Sequence, residues 1–306
     1  MIVDEGRLTK DEGRLAGSIR QRSSAGARYK LGVIGYPVSH SLSPRMHNAA
    51  LRALHMEGDY TAISVPPDQL AVCVSELAAQ GYRGFNVTIP HKQTVMRLLT
   101  ALSDSARAIG AVNTVVVEGG RLIGHNTDAL GFMRGLEQSG FAPQGKSARA
   151  THARATHALV IGAGGAARAV VYALTQAGAH VTVWNRTRER AVQLADEFGM
   201  EVALHLAPPP RYGCFDLIVN TTSVGMTPYS EETPLHLIGR GFGARYVYDL
   251  VYNPRETVFL REARLIGAKA IGGLQMLVHQ GAEAFRLWTG RDAPVDVMKR
   301  AIEAGG

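Results

Sequence analysis

Ala158-Leu159-Val160-Ile161-Gly162-Ala163-Gly164-Gly165-Ala166-Ala167-Arg168 decides the fold. Four apolar residues of strand character run into a loop of the form G-x-G-x-x-A, and a helical pattern follows. Glycines there allow a tight turn and close approach of the backbone to a pyrophosphate, and the start of the next helix favours an anion. Val181-Thr182-Val183-Trp184 then supplies a second strand, so the context is that of a dinucleotide-binding βαβ unit rather than a plain strand-to-helix turn. An NAD site places an acidic residue about 20 positions after the loop. This chain has Asn185-Arg186-Thr187, with Arg188 and Arg190 close by. A carboxylate would repel a 2′-phosphate, whereas a guanidinium fork binds one. The spacing therefore predicts NADP rather than NAD. Arginines at a helix start also oppose the macrodipole, a cost that a bound anion offsets.

Working outward, strands and helices alternate on both sides of this unit. Leu31–Gly35 reads as a strand, and Ser43-Pro44 as an N-cap with proline at the first helical position of a helix reaching Leu54. A strand near Tyr60–Val65, a helix near Asp68–Gln80 and a strand at Gly84–Thr88 follow. Asn113–Glu118 and Arg121–Gly124 flank Gly119-Gly120 as a β-hairpin, and another helix begins near Asp128. Asp216–Asn220 and Tyr246–Leu250 are later strands, and Leu274–Trp288 and Pro294–Ala304 are helical. Alternation of this kind predicts an α/β protein with parallel sheets and helices on both faces. At 306 residues two domains are expected.

Composition excludes several classes. No apolar stretch is long enough to span a membrane, and the N-terminus lacks the apolar core of a secretory signal. Cys73 and Cys214 stand far apart and make no disulfide framework, which fits a reducing cytoplasm. The net charge of +7 is local: residues 1–30 carry +3, residues 146–154 carry +3, and residues 183–190 carry +2. The last group has the phosphate explanation above, so nucleic acid is not an expected partner. Asp-Glu-Gly-Arg-Leu at 4–8 recurs at 11–15, and Ala-Arg-Ala-Thr-His at 148–152 recurs at 153–157. The first repeat reads as part of a disordered extension over residues 1–29, the second as a lengthened linker.

Four polar segments precede the glycine loop, each near a strand end or a helix start. They are Gly35 to Asn48 with Ser41 and Ser43; Asn86 to Lys92 with Thr88; Ala111-Val112-Asn113-Thr114; and Gly124-His125-Asn126-Thr127-Asp128. Ligands of open α/β sheets bind beyond the carboxyl ends of strands. Hydroxyls, amides, one amine and one carboxylate suit a polyhydroxylated small molecule. Ser43 has a competing use as a helix cap, and Asn113 and Asn126 as turn formers. Lys92 stands out in a chain with 27 Arg and only 6 Lys, because lysine can release a proton and arginine cannot. His40, His47, His91 and His125 match no compact ligand motif, so no metal is expected.

From about residue 30 to the C-terminus the chain resembles the NADP-dependent shikimate dehydrogenase family. The resemblance rests on the Ser41/Ser43 segment, Asn-Val-Thr-x-Pro-His-Lys, Ala-Val-Asn-Thr, Asn-Thr-Asp, the glycine loop, Asn-Arg-Thr, Asp249-Leu250-Val251-Tyr252-x-Pro254 and Gly273-Leu274-x-Met276-Leu277-Val278-x-Gln280. It implies reversible reduction of 3-dehydroshikimate to shikimate, on the route to chorismate and the aromatic amino acids. Lys92 and Asp128 would be the catalytic pair. Ser41, Ser43, Thr88, Asn113, Tyr252 and Gln280 would join them in holding substrate. Gly162, Ala163, Gly164, Gly165, Ala166, Asn185, Arg186, Thr187 and Arg190 would hold NADP, with Leu250 and Gly273 beside the nicotinamide and Asp104 as a cofactor-side acid. The resemblance also implies a substrate domain of residues 30–130 plus 272–306 and a Rossmann domain of residues 131–271. Two alternatives remain: a quinate/shikimate dehydrogenase using NAD, and a non-catalytic shikimate-binding sensor. A homodimer is left open.

Overall fold

In the computed structural model, residues 28–143, 155–203, 215–234 and 243–304 are described. Cys214, most of the expected N-terminal extension and the repeat at 148–157, apart from its last three residues, lie outside them.

The first half contains β1 (Tyr29–Gly35), α1 (Ser43–Ala53), β2 (Gly58–Ser64), α2 (Leu70–Ala79), β3 (Gly84–Val87), β4 (Ala101–Leu102), α3 (Asp104–Ile109), β5 (Thr114–Glu118) and β6 (Arg121–His125). Its sheet runs β2-β1-β3-β5-β6-β4. β1 pairs parallel with β2 and β3, but β5 is antiparallel to both β3 and β6. The antiparallel β5–β6 pair is the hairpin expected from the sequence, set into an otherwise largely parallel sheet. The Gly119-Gly120 hairpin turns the chain straight back, and positive φ at both glycines (56° and 77°) suits a tight turn.

Helix α4 (Asp128–Gln138) leads into the second sheet. That sheet is built from β7 (His157–Ile161), α5 (Gly165–Gln176), β8 (His180–Trp184), α6 (Arg188–Phe198), β9 (Glu201–Val202), β10 (Phe215–Asn220), β11 (Ala244–Asp249), α7 (Val258–Leu265) and β12 (Lys269–Ile271). It is parallel throughout, with order β12-β11-β10-β7-β8-β9. Numbered within the sheet and read from the β9 edge, this is the 3-2-1-4-5-6 order of doubly wound dinucleotide folds, with its switch point between β7 and β10. The two-domain α/β reading holds.

The chain ends in α8 (Leu274–Thr289) and α9 (Val295–Glu303). Leu277, Val278, Phe285 and Trp288 of α8 and Met298 and Ile302 of α9 share a core with Leu31, Val33, Met46 and Tyr60 of the first half. Trp288 is decisive, since its indole Nε1 donates to the Val115 carbonyl at 2.9 Å. A Cβ at Gly84 would stand 2.2 Å from that nitrogen, so the lack of a side chain lets the indole reach the sheet. Helix α4 spans the two halves. It begins at Asp128, while Phe132 and Leu136 are buried with Val160, Val170 and Tyr248 of the second sheet. A boundary at residue 130 thus falls within one continuous helix. Arg168 adds a tie between the halves: its guanidinium is buried, donates to the Ile109 carbonyl at 2.6 Å and pairs with Glu197.

Candidate active site

Lys92 and Asp128 meet. Lys92 Nζ donates to Asp128 Oδ2 at 2.5 Å, with side chains 14% and 5% exposed. Lys92 follows β3, and its carbonyl accepts from Val112 N at 2.8 Å, which ties its loop to the segment before β5. Asp128 opens α4, where a carboxylate suits the helix dipole. Asn126 organises this start. Its Oδ1 accepts from Asp128 N at 3.0 Å, and its Nδ2 donates to the Ala111 carbonyl at 2.9 Å.

Asn113 orients the carboxylate from the other side. Its Oδ1 accepts from Thr127 N at 2.7 Å, which turns Nδ2 toward Asp128 Oδ1 at 2.9 Å and Gln280 Oε1 at 3.1 Å. Two donors on two oxygens satisfy the buried charge, as such burial requires.

Ser41, Ser43, Thr88, Lys92, Asn113, Asp128, Tyr252 and Gln280 all line one cavity of about 180 Å³. Ser43 is not the helix cap expected for it. Helix α1 begins at Ser43 itself after Leu42, and Ser43 N donates to Ser41 Oγ at 3.3 Å. Both serine hydroxyls thereby belong to the cavity. Burial pushes the Tyr252 phenol pKa up, and the nearby Ser41 hydroxyl works against that rise. Of the histidines, His91 lies on the Val65 carbonyl at 2.7 Å and His47 stacks on Tyr60, so both serve the interior.

The cavity opens toward the glycine loop. Ala166, Leu250 and Gly273 line it. Gly162 has φ of 118°, and a Cβ there would stand 2.4 Å from Thr221 Oγ1. A Cβ on Gly165 would stand 2.7 Å from Lys92 Cβ, so the loop glycine also lets the cofactor helix pack on the lysine stem. A Cβ on Gly164 would meet nothing within 4 Å, and no side chain caps α5. Open space beside the loop and uncapped N–H groups fit a pyrophosphate. Asn185 folds back, its Nδ2 donating to the Thr187 carbonyl at 2.8 Å, and Arg186, Thr187 and Arg190 are exposed at the start of α6. Asp104 is fully exposed at the start of α3, pairs with Arg107 at 2.9 Å, and does not line the cavity.

Sequence reasoning left out Thr221, Thr222, Ser223 and Met226, which line the same cavity. All four follow the carboxyl end of β10, next to β7 at the switch point, and that position was the available signal. Asp249 ends the adjacent strand. It is fully buried and accepts from Thr257 Oγ1 at 2.6 Å, Asn220 Nδ2 at 2.9 Å and Val251 N at 3.1 Å, shaping the loop that carries Leu250 and Tyr252. Burial outweighs these donors and lifts its pKa from 3.8 to about 6. A carboxyl whose folded pKa is raised contributes most below its unfolded value, and that contribution is lost as pH climbs through about 6. Asn in its place can donate to Thr257 and still accept from Asn220 and Val251. Urea denaturation of the wild type and Asp249→Asn between pH 4 and 7 should show the wild type losing on the order of 2 kcal/mol relative to the variant. Parallel stability curves would contradict this account.

Three family models match the chain: the shikimate dehydrogenase substrate binding domain over residues 33–115, shikimate/quinate 5-dehydrogenase over 146–223, and the shikimate 5′-dehydrogenase C-terminal domain over 273–303. A curated shikimate dehydrogenase (NADP(+)) of Moorella thermoacetica is 48% identical over 88% of this chain and 91% of its own length. One from Symbiobacterium thermophilum is 46% identical over 93% and 97%. The crystal structure of shikimate 5-dehydrogenase from Thermus thermophilus in complex with NADP(H) and shikimate superposes with a TM-score of 0.78 at 42% identity, covering 90% of this chain and 99% of that one.

Proposed function

The chain belongs to the shikimate dehydrogenase family, and from that premise we propose that Lys92 and Asp128 carry the proton transfer of its reaction. The activity is NADP-dependent oxidoreduction between shikimate and 3-dehydroshikimate. One observation carries the residue assignment: the 2.5 Å Lys92–Asp128 pair faces a cavity that the hydroxyls and amides of the first half share with Ala166, Leu250 and Gly273 of the second.

NADP supplies or accepts the hydride. Gly162 to Ala166 would hold its pyrophosphate, Asn185 to Arg190 its 2′-phosphate, and Leu250 and Gly273 would border the reacting end. Lys92, as ammonium, gives its proton to the substrate oxygen in reduction; as neutral amine it takes the hydroxyl proton in oxidation. Asp128 holds the Lys92 nitrogen in place and accepts from the same hydroxyl. Ser41, Ser43, Thr88, Asn113, Tyr252 and Gln280 orient the ring. On a division into residues 30–130 plus 272–306 and residues 131–271, most of each set would lie on its own domain, with Tyr252 reaching the substrate from the second and Gly273 the cofactor from the first. Two isolated cysteines support a cytoplasmic setting; among the described residues no helix is long and apolar enough to cross a membrane.

The test follows reduced-nicotinamide absorbance with shikimate and quinate, each offered NADP and NAD. Turnover should be fastest with shikimate and NADP. Preference for quinate, or for NAD, would replace this reading with the quinate/shikimate alternative. Shikimate binding without turnover would favour the sensor.

A further inference from the structure

Tyr60 lies on β2, outside every segment that pointed to the site, and does not line the cavity. It is 1% exposed, yet its hydroxyl has a partner. Tyr60 Oη donates to Asn86 Oδ1 at 2.7 Å. Asn86 lines the cavity.

The direction of these bonds can be worked out. Asn86 Nδ2 donates to the Asn113 carbonyl and to Thr114 Oγ1, each at 3.0 Å. That fixes the amide, so Oδ1 is the group facing Tyr60 and the phenol must give it the proton. From Thr114 the line continues: its hydroxyl donates to Asn113 Oδ1 at 3.1 Å, and Asn113 Nδ2 donates to Asp128. Tyr60, Asn86, Thr114, Asn113 and Asp128 thus form one buried chain in which every donor points toward the catalytic carboxylate. Hydrogen bonds aligned in this way polarise one another in a low dielectric. The phenol is itself held rigidly. His47 stacks on its ring at 4.3 Å and 9°, and Trp288 tilts against it at 6.0 Å.

We propose that Tyr60 is a positioning residue for substrate: its hydroxyl fixes the Asn86 amide in the cavity wall, thereby coupling that wall to Asp128. This rests on the functional reading above and adds a specificity-determining residue to it. Burial raises the pKa of the phenol, which keeps the proton that this role requires.

The test is Tyr60→Phe, which keeps the ring against His47 and Trp288 and removes only the hydroxyl. Shikimate binding is measured by titration calorimetry without cofactor, and steady-state kinetics then follow. The variant should bind shikimate about tenfold more weakly, with KM for NADP+ changed by less than about twofold. Because Tyr60 acts through Asn86, Tyr60→Phe should cost little further in an Asn86→Ala background. Additive losses in that double-mutant cycle would overturn the inference, since they would mean that Tyr60 acts independently of Asn86. Wild-type affinity in Tyr60→Phe would overturn it alone. Shikimate that fails to bind even the wild-type chain would overturn the functional reading and the inference with it.

Discussion

Lys92→Met should lower kcat for shikimate oxidation by about 10²–10⁴-fold, the usual contribution of a positioned general base, while shikimate still binds. The effect has two separable sources. Methionine removes the titrating nitrogen, and it also leaves the Asp128 carboxylate, 5% exposed, without its cation. Breaking a buried pair by removing one partner commonly costs about 3–5 kcal/mol, so lost turnover in Lys92→Met could reflect a disturbed site. Lys92→Arg separates the two. It keeps a cation opposite Asp128 but cannot cycle a proton at any working pH. If proton transfer is the role of Lys92, both variants lose turnover, and only the methionine variant loses much thermal stability. Recovery of near-normal kcat in Lys92→Arg would reassign Lys92 to charge pairing alone.

The sequence was most legible where chemistry demands particular residues in a particular order. The glycine loop between an apolar strand and a helix foretold the doubly wound sheet because few other uses require that pattern, and β7, α5 and β8 stand where it placed them. The polar segments foretold a common cavity because each lies at a strand end of one sheet. Elements that depend on long-range packing were harder. β4 and β12 have two and three residues and carry no periodicity of their own. The return of α8 to the first sheet depends on Trp288 meeting the bare backbone of Gly84, a match between positions far apart in the chain that no local window contains. Ser43 looked like a cap because serine before proline is a common helix start. The helix begins one residue earlier, and Ser41 takes the backbone N–H. Thr221 and Thr222 were missed because threonines after a strand resemble an ordinary loop until the switch point is known. Tyr60 was invisible for a plainer reason: on a strand it reads as core, and only its hydroxyl's partners reveal another use.

Replacing Arg186 and Arg190 together by alanine should lower the ratio of catalytic efficiencies for NADP over NAD by about 10²-fold or more. Hydrogen bonds to charged groups contribute about 1.5–3 kcal/mol each, and about 1.4 kcal/mol is tenfold. Both guanidinium groups are exposed at the start of α6, so part of each contribution is screened and the lower end of that range applies. Their position makes the expectation specific. Arg186 precedes the N-cap Thr187 and Arg190 lies in the first turn; cations there oppose the helix dipole, so they contribute nothing to the helix itself and are of use when an anion sits between them. Without cofactor, the double variant should therefore melt at or slightly above the wild-type temperature. With saturating NADP+ the order should reverse, because a ligand stabilises the state it binds in proportion to its affinity. NAD should stabilise both proteins alike. Steady-state kinetics with each cofactor and thermal melts with and without them decide the matter together. An unchanged NADP/NAD ratio would assign these arginines to the surface. A fall in efficiency with both cofactors would mean that they support the fold of the loop rather than the recognition of a phosphate.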